Sequence, residues 1–154
     1  MDSEHATGIS KGYVILITTI TSFMTAFMGS SMNVALPVIG KEFTLNAIFL
    51  SWIATAYFLT TATLLIPIGK LADIYGRTLF FKIGIGIFTL GSLLCAIAGS
   101  GVWLMIFRLF QGIGSSFIFT TSTAILVSAV PVHERGKVLG INVASVYIGL
   151  SSGP

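Results

Sequence analysis

Charge is nearly missing from this chain: 8% of its 154 residues are Asp, Glu, Lys or Arg, where a soluble globular domain carries about 25%. With 55% hydrophobic residues and a mean hydropathy of +0.99, that scarcity excludes a water-soluble domain. A single cysteine, Cys95, excludes an internal disulfide and any cysteine-based metal site, and its position inside an apolar run reads as packing. The acids Asp2, Glu4, Glu42, Asp73 and Glu134 all fall between or outside the apolar runs, so no carboxylate lies at apolar depth. His5 and His133 sit at run ends as well. There is no Ser/His/Asp or Cys/His set, no cluster of metal ligands and no phosphate-binding loop, and Gly112-Ile113-Gly114 lacks the strand-turn-helix setting of a dinucleotide site. Neither an enzyme nor a cofactor nor a metal is expected.

What remains is a succession of charge-free runs, Gly12 to Gly40, Phe43 to Gly69, Ile83 to Phe107, Leu109 to His133 and Val138 to Pro154. About 20 apolar residues cross a hydrocarbon core of about 30 Å as a helix, and lipid offers the backbone no other partner for its hydrogen bonds. The sequence therefore predicts an all-α polytopic membrane protein with helices over 13–36, 47–68, 78–98 and 102–130 and an incomplete fifth over 138–154, preceded by a polar tail over 1–12. Gly99-Ser100-Gly101 is so short a connection that helices three and four must form an antiparallel hairpin. Between helices two and three, Gly69-Lys70-Leu71-Ala72-Asp73-Ile74-Tyr75-Gly76-Arg77 is expected as a charged turn bracketed by glycines.

On this threading Lys11, Lys70, Arg77, Lys82, Arg135 and Lys137 share one side and only Lys41 lies on the other, which places the amino terminus in the cytoplasm. Trp52 and Trp103 then fall at the outer ends of helices two and four, the level that indoles favour. A net charge of +3 and a pI near 9.3 follow from the same distribution, so no nucleic-acid partner is expected. The opening residues, with Asp2 and Glu4 ahead of an apolar run too long for a signal segment, do not read as a cleavable leader.

Thr18, Ser22, Thr25, Gly29 and Asn33 recur at three- and four-residue spacing on helix one, and Arg108, Gln111, Ser115 and Ser122 do so on helix four. Each set forms one stripe that should avoid lipid. The small and hydroxyl residues equally serve close helix packing. Arg108 is different in kind: it lies about 6 residues, or about 9 Å, inside its helix, where a guanidinium costs from about 2.5 kcal/mol upward. With Gln111 and Ser115 on its face, it points to a wet cavity or a relay.

The nonapeptide carrying Gly69, Leu71, Asp73, Gly76 and Arg77 resembles the signature between helices two and three of the major facilitator superfamily. Arg108-Leu109-Phe110-Gln111-Gly112 resembles its helix-four signature. Gly149-Leu150-Ser151-Ser152-Gly153-Pro154 is similar to the first part of the helix-five signature of its drug:proton antiporters. Asn33-Val34-Ala35-Leu36-Pro37, with Trp52 and Tyr57, is similar to the fourteen-helix multidrug-resistance branch. These motifs stand in the family's order and cover essentially the whole chain.

The resemblance implies the amino-terminal part of a secondary active transporter in the cell membrane, exporting drugs or other amphipathic small molecules in exchange for protons by alternating access. It assigns Arg108, Gln111, Asn33 and Ser115 to a transport cavity or relay, and Gly69, Asp73, Gly76 and Arg77 to a conformational latch. Gly149, Gly153 and Pro154 become an antiporter-like kink. Arg135-Gly136-Lys137 looks like a further family element at the latch surface. Many members of this branch carry an acid five positions before the asparagine, where this chain has Met28. A carrier of a different solute by symport or uniport is therefore an open alternative, as is a membrane stub that does not transport. Such carriers build their site between two halves of about six helices each, so the remaining helices, the small-molecule substrate, protons and the bilayer are the expected partners.

Overall fold

The computed structural model describes residues 11–153, so most of the amino-terminal tail, with Asp2, Glu4 and His5, and the proline of the helix-five motif, Pro154, lie outside the described residues. Every regular element within them is helical: α1 Lys11–Glu42, α2 Ala47–Tyr75, α3 Arg77–Ala96, α4 Gly101–Ser128 and α5 Arg135–Ser152, with a short 3-10 turn, Val132–Glu134, ahead of α5. Four of them, α1 to α4, are long and apolar enough to cross a membrane. At 1.5 Å per residue, the 32 residues of α1 reach about 48 Å, well past a hydrocarbon core of about 30 Å, so its ends project beyond the lipid tails.

The helix ends differ from the expected ones for identifiable reasons. Helix α1 runs through Pro37, which removes one hydrogen bond, to the Asn33 carbonyl, without ending the helix. It stops where Thr44 takes φ 53° and the Leu45 amide bonds back to the Gly40 carbonyl at 3.0 Å. Asn46 then caps α2 by accepting from the Phe49 amide at 2.8 Å, and Ser100 caps α4 by accepting from Trp103 at 3.5 Å.

The expected turn Gly69–Arg77 is corrected. Helix α2 continues through Gly69 to Tyr75, because Leu71, Ala72, Asp73 and Ile74 are all compatible with helix, and the chain reverses at one residue, Gly76, whose φ is 106°.

Helix α4 is the hub, with 44% of its apolar stretch buried against between 22% and 33% for the other three spans. It packs most extensively on α3 and α2, while α1 packs on α5, and the two groups meet chiefly through α1 and α4. Glycine sets the α3–α4 distance. A side chain at Gly84 would meet Phe117 Cβ at 2.6 Å, one at Gly91 would meet Gln111 Cα at 2.9 Å, and one at Gly114 would run into the Phe88 backbone.

Three apolar clusters lock this arrangement. Tyr57, Phe81, Phe88 and Ile118 join α2, α3 and α4; Met32, Ile53 and Leu104 hold the end nearest the α1–α2 connection; and Leu126, Val130 and Val138 hold the opposite end, with Ile15 against them. Outward faces carry Ile17, Ile20, Met24, Leu59 and Leu93, the surface a hydrocarbon solvent requires.

Candidate functional site

Two turns into α4, Arg108 is only 6% exposed, and its guanidinium carbon lies 5.8 Å from the centroid of the Tyr57 ring. Its Nε has no hydrogen-bond partner, and among the described residues no carboxylate pairs with it. One turn on, Gln111 Nε2 donates to Ser92 Oγ at 2.7 Å, and Ser92 donates to the Phe88 carbonyl at 2.8 Å. The Gln111 Oε1 atom is buried without a partner.

A further turn on, Ser115 Oγ and Tyr57 Oη are 2.8 Å apart, and Tyr57 donates to the Thr25 carbonyl at 3.3 Å. Because each hydroxyl has one proton, Ser115 donates to Tyr57 and Tyr57 to α1. This chain of bonds ties α1, α2 and α4 together around the buried cation. Helices α2 and α4 approach closely here, since a side chain at Gly112 would meet the Tyr57 carbonyl at 2.8 Å.

The structure thus brings together Arg108, Gln111 and Ser115 of the sequence-predicted cavity set. Asn33, the fourth member, is exposed on α1, outside that hydrogen-bonded group. The rest of the helix-one stripe, Thr18, Ser22, Thr25 and Gly29, is buried. Thr18 and Thr25 turn their hydroxyls back to Val14 and Thr21 carbonyls at 2.7 and 2.9 Å. Ser122, on the helix-four stripe, is buried as well.

Tyr57 is the residue that the stripes did not single out. It sits among small and apolar neighbours on α2, and the available signal was chemical: a phenol inside an apolar span must find a hydrogen-bond partner.

Beside this group a groove of about 390 Å³ opens between α1, α2, α4 and α5, with walls that include Gly29, Tyr57, Phe58, Leu65, Phe119 and Leu150. Tyr57 belongs to both regions; Arg108 and Gln111 do not line the groove.

At the basic end, Arg77 Nε bonds Asp73 Oδ1 at 2.8 Å across the Gly76 break, and Arg77 Nη1 reaches the Ala124 carbonyl of α4 at 3.4 Å. Gly69 gives room to Thr120, whose methyl would lie 3.0 Å from any added Cβ. Gly69, Asp73 and Arg77 thus line one small cleft of about 210 Å³ with Thr120, Thr121 and Ala124. On α5, a side chain at Gly149 would meet the Phe23 carbonyl at 2.7 Å and one at Gly153 the Ser31 amide at 2.8 Å, so both glycines press α5 onto α1. Arg135 opens α5 with its Nε unpartnered.

Four apolar spans around a polar, hydroxyl-rich centre that holds an arginine define a polytopic membrane protein built around more than packing. Residues 18–154 match the Major Facilitator Superfamily, and the chain belongs to that superfamily. It is 38% identical over 144 residues to riboflavin transporter RibZ of Clostridioides difficile, covering 94% of this chain and 32% of that protein. It is 35% identical over 141 residues to multidrug resistance protein Stp of Mycobacterium tuberculosis, covering 91% of this chain and 26% of that protein. Efflux pump aflT of Aspergillus parasiticus is 33% identical over 153 residues, covering 99% of this chain and 29% of that protein. The chain spans about a third or less of the length of these curated relatives.

Proposed function

We propose that this chain forms part of a secondary active transporter that exports drugs or other amphipathic small molecules by alternating access, driven by protons, with helices beyond those described completing the substrate path. One observation carries the reading: Arg108 is buried at 6% exposure in the most enclosed span, its Nε unpartnered, joined through Tyr57 to a groove large enough for a small molecule. The names of Stp and aflT support export.

In this reading Arg108, Gln111 and Ser115, with Asn33 from α1, serve the passage. The Asp73–Arg77 pair and its contact to the Ala124 carbonyl brace one conformation and must part for α2, α3 and α4 to shift. Gly149 and Gly153 keep α5 tight on α1. The amino terminus and the basic end face the cytoplasm across the cell membrane. Because Glu42, Asp73 and Glu134 lie at helix ends, the proton-carrying acid comes from elsewhere in the protein.

Efflux of a fluorescent amphipathic dye from cells, with and without a proton uncoupler, tests this. The uncoupler should abolish efflux. Arg108→Ala should abolish it too while the amount of protein in the membrane stays unchanged. Wild-type efflux by that variant would reject the cavity role.

A carrier for a different solute, moved by symport or uniport, is the second reading. It is favoured by Met28, which leaves α1 without an acid where many multidrug members have one, and by the name of RibZ. Efflux that is indifferent to the uncoupler would select it.

A further inference from the structure

Helices α3 and α4 touch closely around Gly91, where a side chain would meet Gln111 Cα at 2.9 Å and Gln111 Cβ at 3.0 Å. That contact delivers the next residue, Ser92, to the end of the Gln111 side chain. The Ser92 hydroxyl has one proton, and it goes back along its own helix to the Phe88 carbonyl at 2.8 Å. Its lone pairs remain, and they accept from Gln111 Nε2 at 2.7 Å. The bond therefore has a direction. Turning the amide over would set two acceptors against each other unless Ser92 gave up the Phe88 carbonyl.

Gln111 is 1% exposed, so its amide is held in surroundings where bulk water does not replace a lost partner. With the NH2 group on Ser92, the oxygen, the negative end of the amide dipole, is the free end. It belongs to a residue three positions from Arg108, a spacing that makes two side chains neighbours on a helix. A guanidinium carries donors only, and an amide held in the opposite sense would set N–H groups near a cation. Gly84 and Gly114, which seat the same two helices on each other, hold α3 and α4 in this register.

We propose that Ser92 is a positioning residue for the cavity group: it fixes the orientation of the Gln111 amide, so that position 111 presents an acceptor and not a donor beside Arg108. It brings α3 into a site otherwise built from α1, α2 and α4. The consequence for turnover rests on the transporter reading; the orientation itself does not. Gln111 does not line the groove, so a solute seated there keeps its contacts when Ser92 is changed, and the loss falls on the step that moves it.

Two measurements on the full-length protein test this. Side-chain amide spectra of protein isotopically labelled at glutamine Nε, in detergent, identify the Gln111 pair of N–H signals by its loss in Gln111→Met. One proton of that pair should lie downfield, as a bonded donor does, move upfield in Ser92→Ala and stay in place in Ser92→Thr, which keeps the hydroxyl. Ethidium transport in proteoliposomes under an imposed proton gradient, measured per folded protein, should show kcat lowered about fivefold by Ser92→Ala, the equivalent of one neutral hydrogen bond. KM should stay within about twofold, and Ser92→Thr should recover the rate. An amide signal indifferent to Ser92→Ala, or one that Ser92→Thr fails to keep, overturns the proposal. Unchanged kcat, or a loss confined to KM, overturns the positioning role even where the amide signal shifts. If the wild-type protein moves no ethidium, the export reading loses its support, while the amide spectra still decide the Ser92 assignment. Should Ser92→Ala not fold, Ser92→Cys, whose thiol accepts only weakly, gives the same two readings.

Discussion

Tyr57 shows how much one side chain can hold together in lipid. Its hydroxyl accepts from Ser115 at 2.8 Å and donates to the Thr25 carbonyl at 3.3 Å, while its ring carries the Arg108 guanidinium and packs in the cluster with Phe81, Phe88 and Ile118. Tyr57→Phe keeps the ring and deletes both bonds, leaving the fully buried Ser115 hydroxyl without a partner. That should cost about 1 to 3 kcal/mol, read as a lower thermal midpoint of the solubilised protein. An unchanged midpoint would show that the hydroxyl chain contributes nothing. Arg108 itself was legible from sequence because a guanidinium inside an apolar run has few innocent explanations. Tyr57 was legible only as part of a family resemblance and not as a member of the polar group, because a phenol in an apolar run is equally suited to plain packing.

Helices show the same division between pattern and partner. The glycine-rich segment before α3 was recognisable as a motif, yet its fold as two further turns of α2 and a one-residue break depends on where α4 lies. Arg77 reaches the Ala124 carbonyl, and Thr120 fills the space over Gly69. The Asp73–Arg77 pair is largely exposed and worth only about 0.2 to 1 kcal/mol to stability. Asp73→Asn should therefore leave thermal stability nearly unchanged but slow turnover of the full-length carrier more than it raises KM. Equal turnover would remove the latch.

Helix α5 offers a matched pair of tests. Gly149→Val drives a side chain into the Phe23 carbonyl, whereas nothing lies within 4 Å of a Cβ at Gly140. The first should destabilise by about 1 to 3 kcal/mol through overpacking. The second, as Gly140→Ala, should be neutral or stabilising by about 0.5 to 1 kcal/mol. Thermal midpoints of the two variants decide between close helix contact and general sensitivity of α5.

For the assembled protein, the arrangement of charge predicts its orientation. Trp52 and Trp103 stand 53% and 55% exposed at the starts of α2 and α4, at one end, and Lys70, Arg77, Lys82, Arg135 and Lys137 gather at the other. In a Cys95→Ser background, Ser100→Cys should react with a membrane-impermeant maleimide added to intact cells, and Lys137→Cys should react only after permeabilisation. The opposite pattern would overturn the orientation. At this level the groove between the α1–α5 pair and the α2–α3–α4 group has meaning only as part of a larger enclosure, since its walls alone do not surround a solute.

Composition and the spacing of charge decided the solvent, the number of spans and the helical class, because a backbone in hydrocarbon must satisfy itself locally and each span is an independent stretch of about 20 apolar residues. Motif order decided the superfamily. Which stripe meets which, that Asn33 stays outside the Arg108 group while Tyr57 joins it, and that α2 swallows its expected turn were settled only by three-dimensional packing. Those outcomes depend on side chains from α1, α2, α3 and α4 meeting at distances that glycines in other helices permit. A hydrophobic pattern along one helix carries no record of its neighbours.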